Sequence, residues 1–175
     1  MKKLFLLAIG ATFCSIVSTY ATPKTLWLIG DAAMAHYTDS TLAYGWGTAF
    51  EQYVNNRIDI VNMAGPSISA TFFDDNNTIK KIEELQKKSY ILIQLGTNDL
   101  REDIPSQYSS SETFALRLNK IISTAHKNKI NIILCTPLAQ PYYKDGLLIN
   151  RLGVYPDIIR RVATNSHFLL LYMEA

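Results

Sequence analysis

The sequence is poor in the residues that build cross-links, metal centres and charged interfaces. Its 175 residues include two cysteines and three histidines, and 17 Lys and Arg stand against 15 Asp and Glu. Cys14 lies in an N-terminal apolar run and Cys135 follows Ile132, Ile133 and Leu134, a pattern that excludes a disulfide framework. Cys135 reads as a small buried hydrophobe. Zinc sites take three or four His, Cys or acidic ligands at recognisable spacing, whereas His36, His126 and His167 are scattered. Asp74-Asp75-Asn76-Asn77 lacks the alternating order and distal glutamate of a calcium loop. A net charge of +2 gives no basic footprint for nucleic acid. Neither Gly-x-Gly-x-x-Gly nor a phosphate loop ending in Gly-Lys-Ser/Thr occurs, so no nucleotide site has a motif behind it. These absences predict a protein without metal, cofactor or nucleic-acid partner.

What is present fits one exported domain. Hydrophobic residues make up 48% of the chain, and a chain of this length buries about two thirds of its unfolded surface without staples. Residues 1–21 read as a secretory signal: Lys2 and Lys3, an apolar stretch over 4–17, then Thr19-Tyr20-Ala21 as a small-x-small cleavage site. The stretch falls short of the roughly 20 apolar residues that span a bilayer, so stable membrane insertion is not expected. Residues 22–175 form the expected domain, periplasmic or extracellular, and removal of Lys2 and Lys3 leaves it without net charge.

Along that domain, short apolar runs alternate with amphipathic stretches. The runs over 25–29, 58–62, 90–95, 130–135 and 168–172 suit strands buried on both faces. Helices are predicted over 48–56, 79–88, 111–128 and 155–164. The third is the clearest, with Phe114, Leu118, Ile121, Ile122 and Ala125 on one face and Ser109 to Ser111 offering an N-cap. Such alternation implies right-handed βαβ units: a three-layer α/β/α sandwich with a five-stranded, mostly parallel sheet in the order 2-1-3-4-5.

In that architecture chemistry gathers at the carboxyl ends of the strands. The first strand exits through Gly30-Asp31-Ala32-Ala33-Met34-Ala35, where 32–35 is read as a helix start that favours an anion. The second exits through Asn62-Met63-Ala64-Gly65-Pro66-Ser67 and the third through Gln94-Leu95-Gly96-Thr97-Asn98-Asp99. The three exits converge, and a Gly N–H with an Asn amide are donors of the kind that stabilise an oxyanion. Taken singly, Gly65-Pro66 also reads as a turn and Asn98-Asp99 as caps of a following helix.

Together these loops resemble the SGNH (GDSL-type) hydrolases, and most of all their rhamnogalacturonan acetylesterase branch. That family's Gly-Asp-Ser-Thr-Met-Ala is matched by Gly30 to Ala35, its Gly-Trp-Gly by Gly45-Trp46-Gly47, and its Asn-x-Ala-Gly by Asn62 to Gly65. Its Gly-His/Thr-Asn-Asp is matched by Gly96 to Asp99, and Thr136-Pro137-Leu138 and Tyr155-Pro156 follow in order. The resemblance covers 25–172. It implies a flavodoxin-like fold and metal-free, cofactor-free hydrolysis of esters, commonly acetyl groups on cell-wall polysaccharides, with acetylated polysaccharide or a small ester as partner. By position it implies Gly65 N–H, Asn98 and the N–H of residue 32 as oxyanion donors. It places Asp31, Asn62, Thr97 and Trp46 on the substrate side.

Two departures follow. The nucleophile position is Ala32, and the family's C-terminal helix with its Asp-x-x-His is not found before Ala175. The expectation is a catalytically inactive esterase scaffold; the alternative is a carbohydrate- or acyl-binding protein using the oxyanion cleft. His36, Ser40, Ser67 and Ser69 are the substitutes to inspect for a relocated dyad. Tyr37, Tyr44, Trp46, Tyr142 and Tyr143 are candidate sugar-stacking surfaces.

Overall fold

The computed structural model describes residues 24–37, 45–54, 57–85, 87–139 and 142–173. The expected signal segment, Ser40 and Tyr44 lie outside the described residues. In chain order the elements are β1 (Lys24–Gly30), α1 (Trp46–Glu51), β2 (Ile58–Asn62), a 3-10 helix (Ala70–Asp74), α2 (Asn76–Glu83), β3 (Tyr90–Gln94) and α3 (Ser111–Lys127). They continue with β4 (Asn131–Cys135), β5 (Tyr143–Lys144), β6 (Leu147–Leu148), α4 (Tyr155–Ser166) and β7 (Leu169–Leu171).

The five apolar runs pair in parallel in the order β2-β1-β3-β4-β7, the doubly wound arrangement the sequence implies. One face of the sheet packs against α2, α3 and α4. Ile29, Ile91, Ile93 and Leu134 meet Ile82, Phe114, Leu118, Ile121, Ile158 and Ile159 in the larger core. Each such side chain, fully buried, contributes about 1.5–3 kcal/mol. On the other face, Leu26, Leu28 and Leu92 pack with Met34, Trp46 and Phe50.

Helix starts follow local chemistry. Ser110 caps α3 by accepting from Thr113 N–H at 3.3 Å, and Asp75 caps α2 by accepting from Asn77 N–H at 3.1 Å. α2 therefore begins earlier and ends earlier than the 79–88 expected. α1 begins at Trp46 and stops at Glu51, short of the expected 56. Residues 32–34 form a turn, not the helix start expected there. Asp31 accounts for this, since its carboxylate takes the Ala33 N–H at 2.9 Å and closes the turn on itself.

Candidate active-site loops

The turn after β1 is built around Ala32 and uses its carbonyl but not its N–H. Besides the Asp31–Ala33 bond, Met34 N–H donates to Asp31 O (3.1 Å) and Ala35 N–H to Ala32 O (3.3 Å). Ala32 is exposed, and its own N–H has no partner among the described residues. The turn is clamped from outside by main chain: Gly45 N–H donates to Ala35 O (3.0 Å) and Trp46 N–H to Ala33 O (2.8 Å). A Cβ on Gly47 would lie 2.3 Å from Met34 O, and one on Gly45 2.4 Å from Ala35 O, so no side chain fits at either position. The Gly-Trp-Gly motif is thus a contact between two backbones. Trp46 donates from Nε1 to Gln94 Oε1 (2.9 Å), and the buried Gln94 donates from Nε2 to Thr136 O (3.3 Å). That chain ties the exits of β3 and β4 to α1.

The second loop enters the same knot. Asn62 Nδ2 donates to Met34 O (3.1 Å) while its Oδ1 accepts from Ala64 N–H (3.0 Å). Gly65 N–H donates to Gly30 O at 3.1 Å. In the third loop Gly96 takes φ +123°, a conformation that favours glycine, beneath Tyr155 and Pro137. Asn98 follows, buried, and its Nδ2 donates to both Pro66 O (3.0 Å) and Ile68 O (2.7 Å).

The three loops meet as expected, but their donors are already engaged. A side-chain amide has two hydrogens, and both of Asn98's are directed at main-chain carbonyls. The single hydrogen of Gly65 N–H is also taken. Of the three oxyanion donors the resemblance implies, only the Ala32 N–H is uncommitted in this structure. Asp31, Asn62, Trp46 and Thr97, placed on the substrate side by resemblance, all have protein partners, Thr97 through Asp31, and Thr97 also lines an open cleft. That cleft, about 530 Å³, is bounded by Thr97, Asn98, Leu100, Arg101, Asp103, Arg151 and Leu152. Arg101 is paired with Asp103 at 2.6 Å. Arg151 instead stacks over the Tyr142 ring, 4.8 Å from its centroid, and has no carboxylate partner among the described residues. No motif in the sequence marks Arg151; only the fold brings it here.

The other candidates are elsewhere. His36 is exposed, with Nδ1 at 3.1 Å from Thr48 Oγ1. His126 and His167 lie at the amino ends of the strands, away from the loops. Ser69 is buried and caps the 3-10 helix by accepting from Thr71 N–H (3.3 Å), while Ser67 is exposed. Asp99, read from sequence as a helix cap, is fully buried. It accepts from Ala70 N–H (2.9 Å) and Ser109 Oγ (2.7 Å) on one oxygen and Gly96 N–H (3.1 Å) on the other.

Burial raises the carboxyl pKa of both Asp31 and Asp99, against the hydrogen bonds that lower it. For Asp31, partnered by Ala33 N–H and the Thr97 side chain, the sign is clear. A raised folded-state pKa means the folded protein holds the proton more tightly. The stabilisation is full below the ordinary value of 3.8 and is lost as pH rises through the folded value. Asp31→Asn keeps an acceptor for Ala33 and removes the buried charge. It is therefore expected to raise the melting temperature at pH 7 relative to the parent chain, with the difference vanishing below pH 3.8. Thermal melts of both proteins from pH 3 to 8 read this directly; a difference constant with pH would refute it.

The motif blocks fall within the match to one family. The family model described as GDSL-like Lipase/Acylhydrolase matches residues 26–164. The chain belongs to this family. A curated relative, "Probable rhamnogalacturonan acetylesterase YesY" of Bacillus subtilis (strain 168), is 25% identical over 148 residues, covering 83% of this chain and 68% of that protein. Among solved structures, Bacillus subtilis YxiM superposes with a TM-score of 0.72 at 22% identity, covering 86% of this chain and 43% of that one. A variant of the acetyl xylan esterase Axe2 from Geobacillus stearothermophilus gives 0.60 at 19% identity, covering 84% and 75%. The chain thus spans less than half the length of YxiM and about two thirds of YesY.

Proposed function

We propose that this GDSL-family chain is a non-hydrolytic esterase scaffold that binds acetylated, acidic polysaccharide in the cleft beside Thr97 and Asn98. The observation that carries the reading is Ala32: the position where the family holds its serine presents a methyl group in a turn otherwise intact. A methyl group neither attacks a carbonyl nor donates a proton. The committed hydrogens of Gly65 and Asn98 support the same reading, since a tetrahedral oxyanion needs free donors. Export by residues 1–21 belongs to the proposal.

The choice of an acidic sugar polymer over a neutral one rests on Arg151. A guanidinium held in place by an aromatic ring and lacking a carboxylate partner suits the two-pronged recognition of a sugar carboxylate. Tyr142 adds a ring face on which a sugar can stack. YesY is named for a galacturonan-containing substrate, which carries such carboxylates; xylan's backbone does not.

The test is calorimetric titration of the chain with acetylated rhamnogalacturonan, with the same polymer after carboxyl methylation, and with acetylated xylan. Saturable heat is expected with the first polymer only. Arg151→Ala is expected to weaken it about tenfold or more, since a hydrogen bond to a charged group is worth roughly 1.5–3 kcal/mol. No heat with any polymer at millimolar sugar would end the reading, and equal heats with xylan would remove its charge argument.

A further inference from the structure

The parallel register sets three lysines on one line. Leu26 is level with Tyr90 across β1 and β3, and Tyr90 with Asn131 across β3 and β4. Two residues back along each chain segment, the same register brings Lys24, Lys88 and Lys129 level at the amino ends of the strands, opposite the loops described above. Hydrogen bonds hold the line there: Thr25 N–H donates to Ser89 Oγ (3.3 Å) and Lys88 N–H to Lys129 O (2.9 Å). Neighbouring strands lie about 4.8 Å apart, so the line carries one cation per strand. The Lys24 ammonium leans toward β3, 6.0 Å from the Tyr90 ring centroid. His126 at the end of α3 and His167 before β7 border the same depression as Lys88 and Lys129.

All three lysines are exposed, and none has a carboxylate partner among the described residues. Asp59, level with Thr25, and Glu83 and Glu84, where α2 ends, are acidic side chains toward this end, and none forms an ion pair with the line. Lys88 and Lys129 also take a left-handed backbone, with φ 69° and 60°. Glycine or asparagine is the usual choice there, because a Cβ is strained in that conformation. Lys129 follows the C-cap of α3, where a cation complements the helix dipole. Lys24 opens a strand, so that account does not reach it. The domain over 22–175 has no net charge, so only uneven placement of charge can draw a polyanion. The opposite end of the sheet carries Asp31, Asp99, Glu102, Asp103 and Asp145 in its loops.

We infer that this line binds a stretch of acidic polysaccharide, laid across the amino ends of β1, β3 and β4 with its carboxylates on Lys24, Lys88 and Lys129. A single row of evenly spaced cations fits one linear chain whose charges repeat sugar by sugar. An anionic membrane is met by a polybasic patch spread in two dimensions. Single-stranded nucleic acid is met by aromatic faces on which bases stack, whereas the ring on this line, Tyr90, lies half-buried beneath Lys24. The surface shares its class of ligand with the cleft beside Thr97 but none of its residues, and it stands without that reading.

The experiment titrates the Arg151→Ala form of the 175-residue chain, whose other cleft is disabled, with unacetylated polygalacturonate by calorimetry. Galacturonate monomer, fully methyl-esterified polymer, poly-dT and phosphatidylglycerol vesicles are titrated alongside. Saturable heat is expected with polygalacturonate and is expected to weaken as salt rises. Exposed charge pairs are individually weak, so loss of all three is expected to cost about tenfold in affinity, and monomer and methyl ester should bind at least that much more weakly. Adding Lys24→Gln, Lys88→Gly and Lys129→Gly tests this. The two glycines relieve left-handed strain, so the variant is expected to melt no lower than its parent while binding is lost. Adding Lys24→Arg, Lys88→Arg and Lys129→Arg instead is expected to keep binding. The proposal is overturned if the neutral variant binds as its parent does, if the methyl ester binds equally, or if poly-dT or vesicles bind more tightly than polygalacturonate. Absence of heat with polygalacturonate also overturns it and leaves the Thr97 cleft untouched, because that cleft is read with the acetylated polymer and intact Arg151.

Discussion

Neither the chain nor its Ala32→Ser variant is expected to release acetate from p-nitrophenyl acetate or acetylated pectin faster than buffer does. Loss of the nucleophile from a triad of this type costs on the order of a millionfold in kcat, so the parent result follows from residue 32. The variant is the more telling case. A serine at 32 needs a base within about 2.6–3.2 Å. His36 is exposed and engaged with Thr48, and His126 and His167 line the far end of the sheet. The oxyanion would find Gly65 bonded to Gly30 and Asn98 bonded to Pro66 and Ile68. Each missing donor of that kind costs roughly a hundred- to a thousandfold. Initial rates with purified parent, variant and buffer decide it. Turnover by the parent well above buffer would make Ser67, Ser69 and His36 the next residues to change. Turnover by the variant alone would show that the loops rearrange to free their donors and that a base comes within reach.

Asp99→Ala is expected to destabilise the fold by about 3 kcal/mol or more, since it leaves three buried donors without their acceptor at roughly 1–3 kcal/mol each. The carboxylate satisfies donors from three separate places: the 3-10 helix through Ala70, the third loop through Gly96 and the start of α3 through Ser109. Tyr155 on α4 reinforces the knot, its single hydroxyl hydrogen shared between the main-chain oxygens of Ser109 (2.5 Å) and Asp99 (3.2 Å). Burial pushes that hydroxyl's pKa up to about 12, so it stays a donor throughout the working range. With domains typically stable by about 5–15 kcal/mol, the loss is a large share of the total. Urea unfolding should show a lowered midpoint, whereas Ser109→Ala, which removes one donor, is expected to cost about 1 kcal/mol. A shift for Asp99→Ala no larger than that of Ser109→Ala would show that the knot does not hold the loop.

The sheet was legible in the sequence because its inner strands β1, β3 and β4 are largely buried and read as apolar runs, with the half-exposed edge strands β2 and β7 still mostly apolar. The long helix was legible for the matching reason, with Phe114, Leu118, Ile121, Ile122 and Ala125 at helical spacing. The motif blocks located the loops correctly. What they concealed was direction: Asn62, Trp46 and Asn98 look like ligand-facing polar residues, but Asn62 and Asn98 face main-chain carbonyls of neighbouring loops and Trp46 faces the Gln94 side chain. A residue's type states what it can bond, not which bond the fold leaves open. The β5–β6 hairpin was missed although its signal was present. Asp145-Gly146, with φ 51° and 77°, is the Asp-Gly pair that a two-residue hairpin turn demands. The flanking Tyr143-Lys144 and Leu147-Leu148 are simply too short to register as strands. The place of Arg151 beside Thr97 was invisible, because residues distant in the chain assemble that cleft.

The strand order also sets a timetable. Leu26 pairs with Ile60 on one side and with Tyr90 on the other, so β1 can pair with β2 early but keeps its second edge open until β3 has left the ribosome. β4 and β7 then add outward, one after the other. Parallel pairings of this kind are long-range and intrinsically slow to form. Until β3 arrives, a nascent chain carries β1 with one edge unpaired and Leu26, Leu28 and Ile29 only partly covered. Its vulnerable period is therefore early and long, and holding factors that act on the first hundred residues should govern its yield more than any that act on the finished sheet.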